Sequence, residues 1–333
     1  MKTKLQVTSN KSKYTIIVVT LISLIFLTVF ATTIGSVNLT FYEVLVSLTN
    51  NEQSIARTIV YYMRLPRNIM AVLVGANLAI SGILLQAVMK NPLADPGITG
   101  VSSGASVVAI FIILVAPRFI PVLPLFAFLG GAIACILVFM LAWKHGINPL
   151  RIVLAGVAVN AVLGGFISML SILYSDRIQS ALLWLNGNLA ASTWGDVATL
   201  LPYSMIGLIA SFFLVRSANI LQLGDEAAKN LGFNVTRTRL VLSGVAVFLA
   251  GVTTSVVGII GFIGLIVPHV ARMLMGSDHK YTIPFSMTLG GIVLLTADTL
   301  GRFIASPIEI PVGIITAIIG GPFFLYLLRK KGV

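Results

Sequence analysis

About ten apolar segments recur along this chain of 333 residues, and they constrain its fold more than any other feature. Charged residues make up only 10% of the sequence, whereas an ordinary soluble protein has roughly 25%. A hydrocarbon core about 30 Å thick requires about 20 apolar residues in a helix, and most of the segments approach that length. We therefore predict an all-α polytopic membrane protein with about ten transmembrane helices, in one transmembrane domain over residues 1–333. The segments begin near residues 14, 68, 98, 122, 152, 198, 239, 262, 283 and 311.

The basic residues are divided unevenly between the loops on the two sides of a ten-helix arrangement. Ten helices place both termini on one side, and the loops of that side hold 16 of the 22 lysines and arginines. Because cytoplasmic loops are enriched in Lys and Arg, we predict that both termini are cytoplasmic and that residues 1–13 form a cytoplasmic tail. This orientation also explains the net charge of +12. Since the charges are scattered over short loops, we expect no nucleic-acid partner.

The first apolar segment, residues 14–35, has two interpretations. We interpret it as a retained transmembrane helix because it is long enough to span the membrane. A cleaved signal peptide is the alternative. It is disfavoured because the segment is long for a signal sequence and no small-x-small cleavage site follows it.

A helix break separates the second and third apolar segments, in the sequence NPLADPG at residues 91–97. Proline lacks an N–H group, and glycine permits backbone turns, so we predict that this break lies against protein or where the chain leaves the bilayer. A second Gly/Pro-interrupted segment begins at residue 258. Paired interruptions are typical of transporters built from repeats, although Gly and Pro are also frequent in ordinary transmembrane helices. The residues of this predicted structural motif are Asn91, Pro92, Asp95, Pro96, Gly97, Gly100, Gly104, Gly261, Gly264 and Pro268.

Several motifs of enzymes and metal sites are absent from the sequence. There is no GxxxxGK[ST] phosphate loop and no soluble stretch that would hold a nucleotide-binding domain, so we do not expect the chain to hydrolyse ATP. Its three histidines are not at metal-ligand spacing, and there is no HExxH motif. We therefore predict no catalytic residues, no metal site and no cofactor in this chain. The single cysteine, Cys135, is predicted to be a small buried hydrophobic residue.

The longest loop on the predicted cytoplasmic side covers residues 216–238. A short helix is predicted at its centre, with Asp225 and Glu226 at the N-terminus and Gly232 as the stop. Its apolar side chains make it a candidate docking element for a cytoplasmic partner, and an ordinary solvated helix is the alternative. The docking residues are Leu221, Leu223, Gly224, Asp225, Glu226, Ala227, Ala228, Leu231 and Gly232.

Three arginines are predicted at the outer surface: Arg64 and Arg67 before the second long helix, and Arg302 at the end of the ninth. The planar guanidinium suits carboxylates, so these residues are candidates for docking an extracellular partner. Snorkelling towards lipid phosphates is the alternative. Asp298 is four residues before Arg302, which predicts an ion pair within one helix.

Two polar residues within apolar segments, Gln86 and Asn160, are predicted to form hydrogen bonds between helices. The alternative, direct contact with a transported substrate, is less favoured because polar side chains in membrane helices commonly hydrogen-bond to neighbouring helices.

Eight sequence blocks occur in the order seen in one family of permeases. They are RLPR at 64–67, GANLAISGILLQ…NPLADPGITGVSSGA at 75–105, LAGVA at 154–158, WLNG at 184–187, LGDEAA…LG at 223–232, GFIGL…PH…R at 261–272, AD…R at 297–302 and PVG…T at 311–316. The chain resembles the iron-siderophore, haem and vitamin B12 permeases of binding-protein-dependent ABC importers. The resemblance extends from about residue 57 to the C-terminus.

This resemblance implies the type II ABC importer permease fold and a bacterial cell membrane as the location. It implies a second permease subunit, identical or homologous, two cytoplasmic ATPase subunits that bind ATP and Mg, and an extracellular or periplasmic substrate-binding protein. Membrane lipid surrounds the assembly. It also assigns the helix at 219–232 to ATPase docking, and Arg64, Arg67 and Arg302 to salt bridges with glutamates of the binding protein.

The resemblance also suggests a cargo and a gate. In vitamin B12 permeases a hydroxyl-bearing cytoplasmic gate precedes the arginine before the LAGVA block, and here Asn148, Pro149 and Leu150 occupy those positions. These residues are the candidate gate, and their departure from the pattern argues mildly against vitamin B12. We expect import of an iron(III)-siderophore complex, with haem or vitamin B12 as alternatives. An ion-coupled secondary transporter is the alternative from another class.

Overall fold

The computed structural model describes residues 7, 9–35, 37, 39–49, 54–144 and 148–331, and their regular structure is helical. The helices in chain order are α1 (Asn10–Ala31), α2 (Phe41–Thr49), α3 (Ile55–Arg57), α4 (Leu65–Met89), α5 (Val101–Val115), α6 (Leu123–Ala142), α7 (Pro149–Leu173), α8 (Ile178–Leu185), α9 (Trp194–Phe213), α10 (Val215–Gln222), α11 (Asp225–Asn230), α12 (Val235–Val257), α13 (Ile263–Met275), α14 (His279–Ile304) and α15 (Val312–Lys331).

The number of apolar helices agrees with the prediction of about ten membrane segments. Seven helical spans are long and apolar enough to cross a membrane, and one of them joins α3 and α4 through a π-helical stretch, Thr58–Arg64. Three shorter apolar helices, in α5, α13 and α15, bring the total to ten. The predicted all-α membrane fold is confirmed. At the N-terminus α1 begins at Asn10, four residues before the predicted start, because the polar Asn10 and Lys11 join the first turn.

The bundle has two ends, which we name after the short helices found there. At the α11 end, Lys90 follows the last residue of α4 and contacts Asp225 of α11. At the α2 end, Arg64 precedes α4 and donates a hydrogen bond of 2.8 Å to the carbonyl of Thr32, just after α1. α4 therefore runs from the α2 end to the α11 end.

α4 forms the centre of the bundle, and 83% of its most apolar stretch is buried. Glycines let neighbouring helices approach it closely, as is typical of membrane helix packing. A Cβ atom on Gly75 would lie 2.2 Å from the carbonyl oxygen of Gly290 in α14, and one on Gly82 would lie 2.0 Å from that of Gly264 in α13. α7 is much more exposed than α4, because only 17% of its most apolar stretch is buried.

The first helix break folds into a short 3₁₀ turn, Pro96–Thr99. Asp95 Oδ1 caps this turn by accepting a 2.8 Å hydrogen bond from the backbone N–H of Gly97. Gly100 then adopts the left-handed conformation with φ of 81° and starts α5. Of the two glycines predicted to permit a backbone turn, Gly100 adopts the left-handed conformation and Gly97 lies within the 3₁₀ turn.

The second break lies between α12 and α13 and meets the first one on α4. Its left-handed positions are Gly258 and Phe262, with φ of 78° and 68°, rather than Gly261 or Gly264. The Gln86 amide donates to the carbonyl of Ala94 in the first break at 3.2 Å and to that of Gly264 at 3.0 Å. The predicted hydrogen bond of Gln86 between helices is confirmed, and this side chain holds the two interrupted segments together.

Candidate functional site

The segment between α9 and α12 at the α11 end is more helical than the sequence indicated. α10 (Val215–Gln222) follows α9 directly, so the predicted loop at 216–238 contains two short helices. The chain reverses between them at Gly224, where φ is 108°, a conformation that side chains other than glycine rarely adopt. Gly232 has φ of 80° and ends α11, which confirms its predicted role as the stop.

The apolar side chains of this helix pair point in two directions. Leu223 is 63% exposed and Leu231 is 58% exposed, whereas Leu221 and Ala228 are fully buried. The predicted docking surface is corrected at these two buried positions, because Leu221 and Ala228 pack in the protein's own core with residues of α4 and α12. The exposed part of the surface consists of Leu223, Leu231, the charged Glu226 and Gly232.

The carboxylate of Asp225 is bound by side chains of the protein and is not simply solvated. Its carboxylate accepts hydrogen bonds from Lys90, at the end of α4, and from Arg239 Nη2 of α12 at 3.0 Å. Burial alone would raise the pKa of the Asp225 carboxyl, but the hydrogen bonds and positive charges of Lys90 and Arg239 outweigh it and lower the pKa. We call these three residues the Asp225 clip, since they fasten α11 to α4 and α12.

The three predicted outer arginines form one buried cluster at the α2 end. Arg64, Arg67 and Arg302 are 6%, 5% and 3% exposed. Arg67 binds Asp298 through Nε at 2.8 Å and Nη2 at 3.0 Å, and its Nη1 donates to Glu309 Oε2 at 2.5 Å. The sequence interpretation of three solvent-exposed guanidiniums is therefore corrected, because these groups are paired inside the protein.

Arg302 and Arg64 complete this cluster with different partners. Arg302 Nε lies 3.3 Å from Asp298 Oδ2, which confirms the predicted ion pair within α14. Arg302 Nη2 donates to Asn68 Oδ1 at 2.9 Å, while its buried Nη1 has no hydrogen-bond partner among the residues that the structure describes. Arg64 donates to the backbone carbonyls of Thr32 and Val37.

The cluster carries an excess of positive charge and borders an open pocket. Three guanidiniums face two carboxylates, those of Asp298 and Glu309, which leaves one net positive charge. The three arginines and Glu309 line a pocket of about 280 Å³ at the α2 end. Glu309 and Asn68 were missed as site residues. Acidic residues are rare in this chain, which has 10, and Glu309 lies eleven residues after Asp298. This proximity in the sequence could have marked Glu309 as a candidate partner of the arginines.

The candidate gate residues begin α7. Asn148 Oδ1 caps the helix by accepting a 2.9 Å hydrogen bond from the N–H of Leu150, and Pro149 occupies the first helical position. Leu150 is 66% exposed. It starts an apolar face of α7 whose side chains are 48% to 77% exposed and which contains Leu150, Leu154, Val157, Val162, Phe166, Met169, Ile172 and Leu173.

The opposite face of α7 packs on the first helix break. Asn160 Nδ2 donates a hydrogen bond of 3.0 Å to the carbonyl of Gly97, which confirms its predicted contact between helices. A Cβ atom on Gly156 would lie 1.8 Å from the carbonyl oxygen of Ile98, so the two backbones are in direct contact. The break thus supports α7, the helix that presents the apolar face.

Metal-binding side chains are not grouped in the part of the chain that the structure describes. No set of three or more His, Cys, Asp or Glu residues in this part is placed to hold a metal ion. Cys135 is a free, buried thiol in an apolar cluster with Val101 and Ala250, as predicted. His145 lies outside the described residues.

Comparison with known proteins identifies the family. The profile of the FecCD transport family matches residues 22–330. The chain belongs to the FecCD transport family. A curated relative, the Fe(3+)-citrate import system permease protein YfmE of Bacillus subtilis, is 41% identical over 97% of both chains. The cobalamin import system permease protein BtuC of Halobacterium salinarum is 44% identical over 84% of this chain and 75% of its own length.

A solved structure supports the same assignment for the FecCD chain. It is an inward-facing conformation of a protein assigned to the metal-chelate type of ABC transporter, with 29% identity and a TM-score of 0.83. The match covers 95% of this chain and 99% of the other. The fold is therefore that of an ABC importer permease, as the resemblance implied, and the chain is a multi-pass membrane protein.

Proposed function

We propose that this FecCD chain is the permease subunit of a bacterial ABC importer that moves an iron(III)-siderophore complex into the cytoplasm. The similarity to YfmE, at 41% identity over 97% of both chains, is the observation that carries the assignment as an importer permease. ATP and Mg are bound and used by partner subunits, because this chain contains no phosphate loop. The chain itself makes and breaks no bond in the cargo.

The choice of cargo rests on the gate and on the apolar face of α7. Identity alone does not decide it, because the cobalamin permease is as similar to this chain as YfmE is. Asn148, Pro149 and Leu150 lack the hydroxyl groups that the resemblance implies for a vitamin B12 gate, which favours an iron chelate. An apolar path without fixed polar ligands lets a large chelate pass without being trapped, and haem is the second candidate on the same grounds.

The surface at the α11 end is proposed to dock the ATPases, with the cytoplasm on that side as the distribution of basic residues predicts. Leu223, Leu231 and Glu226 are the contact residues, since they are the members of the predicted set with exposed side chains, and the exposed Gly232 has none. The Asp225 clip then transmits movement of α11 to α4 and α12. Coupling requires that ATP favours one conformation of the importer over the other, because equal affinity for both shifts no equilibrium.

The arginine pocket at the α2 end is proposed to dock the substrate-binding protein. Its net positive charge and the unpaired Nη1 of Arg302 favour a carboxylate from the partner. A glutamate of the substrate-binding protein would enter the pocket to reach the arginines, because their guanidiniums do not lie on an open surface. The apolar face of α7 is proposed to line the path between this chain and a second permease subunit, identical or homologous, within the lipid bilayer.

An uptake experiment tests the proposed cargo. The permease, its ATPase and its binding protein are reconstituted in vesicles, which then receive labelled ferric siderophore, haem or cobalamin in separate samples. We expect accumulation of the ferric siderophore only. Accumulation of haem or cobalamin in its place would overturn the assignment of the cargo, although the assignment as a permease would stand.

A further inference from the structure

A polar cavity of about 230 Å³ lies at the α11 end, between α4, α10, α13 and α14. Nothing in the proposed transport path or in the two docking surfaces uses it. No acidic side chain of the described residues lines this cavity, and two of its side chains are cationic. We call it the basic cavity and define it by Gln86, Lys90, Asn91, Gln222, Arg272 and His279.

Arg272 is the cation in this cavity that lacks a counter-ion. Its Nη2 donates to Gln86 Oε1, and no carboxylate lies within 4 Å of its guanidinium among the residues that the structure describes. Gln86 is neutral, and its own amide group is engaged by the carbonyls of Ala94 and Gly264. Arg272 is partly buried, and among the described residues its guanidinium is held by a neutral amide alone. Such a charge is costly, and an anion bound beside it lowers that cost.

The other polar groups of the basic cavity are fixed by the fold. Lys90 has φ of 49°, a left-handed conformation that ends α4. One of its three N–H groups is used by Asp225. His279 is 2% exposed, and its Nδ1 lies 2.7 Å from Asn219 Oδ1. The adjacent carboxylate, Asp278, is outside the lining and accepts hydrogen bonds from Asn219 Nδ2 and the N–H of Lys280.

We propose that the basic cavity binds a small oxyanion, namely a carboxylate, sulfate or phosphate group. Arg272 would hold two oxygen atoms with its remaining N–H groups, and Lys90 would add a charge-assisted hydrogen bond. The cavity is large enough for such an anion and several waters, because one water takes about 30 Å³ in bulk. The anion would share Lys90 with Asp225, so its binding is linked to the Asp225 clip.

Equilibrium dialysis tests this proposal on the full-length permease in phosphatidylcholine nanodiscs. We expect ³⁵S-sulfate to bind saturably, with about one site per chain, and to be displaced by phosphate and by acetate. Arg272→Gln should weaken sulfate binding at least tenfold. Arg237→Gln, which changes an exposed arginine at the same end, is the matched control and should leave binding unchanged.

Two outcomes would overturn the basic cavity as an anion site: no saturable binding of any of the three anions, or equal binding by Arg272→Gln and the unmodified protein. If Arg272→Gln does not fold, Asn91→Asp replaces it. Asn91 is exposed in the lining, so the substitution adds a negative charge while Arg272 stays in place. It should also weaken sulfate binding at least tenfold, and unchanged binding would contradict the proposal.

Addition of the partner ATPase identifies the source of the oxyanion. Displacement of sulfate assigns the basic cavity to a carboxylate of the ATPase in the assembled importer, and retention assigns it to a free anion. Both results agree with the proposed chemistry. Because the dialysis of the permease alone involves no ATPase, its failure is distinguishable from a failure of the proposed transport function.

Discussion

Arg67 donates hydrogen bonds to both carboxylate oxygens of Asp298, from Nε at 2.8 Å and from Nη2 at 3.0 Å, across the interface between α4 and α14. Asp298 is 1% exposed and also pairs with Arg302. Asp298 is therefore the shared anionic partner of two buried guanidiniums at the end of the bundle that is proposed to receive the binding protein.

Asp298→Asn should strongly destabilise the protein. The change leaves Arg67 and Arg302 buried without their shared anion, and breaking a buried ion pair from one side costs about 3–5 kcal/mol. Thermal unfolding in detergent measures the effect. Asp176→Asn is the control, because Asp176 is exposed and pairs with the exposed Arg177, so little change is expected. Equal stability of the two variants would contradict the central role of Asp298.

Arg64→Gln should weaken binding of the substrate-binding protein. Arg64 donates to backbone carbonyls and forms no ion pair in the described part of the chain, so its loss removes charge from the pocket without leaving a carboxylate unpaired. We expect at least a tenfold higher Kd and a weaker dependence of Kd on salt, measured with nanodiscs by biolayer interferometry. Arg177→Gln, at the same end, is the control. An unchanged Kd for Arg64→Gln would remove the pocket from the docking surface.

Leu231→Asp and Leu223→Asp should each release the ATPase. Both side chains are more than half exposed, so the substitutions should leave the unfolding temperature unchanged while they place a charge in an apolar contact. A pull-down with the purified ATPase measures retention, and we expect at least a tenfold loss. Ile308→Asp changes a side chain that is 74% exposed at the α2 end and should retain full binding. Full retention by both leucine variants would overturn the docking assignment.

The stability contributed by the Asp225 clip should depend on pH. The pKa of Asp225 is lowered in the folded protein, so its contribution is fully present above the ordinary value of 3.8. The contribution is lost as the pH falls from that value through the lowered pKa. Unfolding temperatures of the unmodified protein and of Asp225→Asn should therefore differ at pH 7 and converge as the pH falls through the lowered pKa of Asp225. The difference should be small, since Asp225 is 40% exposed. A difference independent of pH would mean that its charge does not matter.

Gly82→Ala should disrupt the contact between α4 and α13. The added Cβ would lie 2.0 Å from the backbone carbonyl oxygen of Gly264, which forces the two helices apart at a cost of about 1–3 kcal/mol or more. The control is Gly164→Ala in α7, where nothing lies within 4 Å of the new atom. That control should be neutral or stabilising, by up to about 1 kcal/mol, because alanine favours helix. Thermal unfolding compares the two, and a neutral Gly82→Ala would contradict the close packing.

Sequence periodicity and composition predicted the helices well, because the position of a helix depends on the residues within and next to it. The ten apolar segments follow from the length of a membrane span. The stop at Gly232 follows from the preference of glycine for the left-handed conformation. The contacts of Gln86 and Asn160 follow from the cost of leaving polar groups unpaired among apolar helices. The ion pair of Asp298 with Arg302 needs only the spacing of four residues.

The remaining features depend on contacts between distant segments, which spacing does not reveal. Arg67 appears exposed in the sequence because it adjoins a loop, but Asp298 lies 231 positions away and buries it. Leu221 and Ala228 appear equivalent to Leu223 and Leu231 until the packing of α10 and α11 on α4 separates them. Phe262 adopts a left-handed conformation with φ of 68°, which local preference does not predict for a bulky residue.

Uptake of ferric siderophore into sealed vesicles, with the permease, its binding protein and its ATPase present, is the decisive measurement of ATP-driven import. We expect that uptake requires both ATP hydrolysis and the ATPase subunits, stops with a non-hydrolysable ATP analogue and is unaffected by an ionophore. Uptake that continues without the ATPase and collapses when an ionophore is added would contradict it and assign the chain to the ion-coupled secondary transporters.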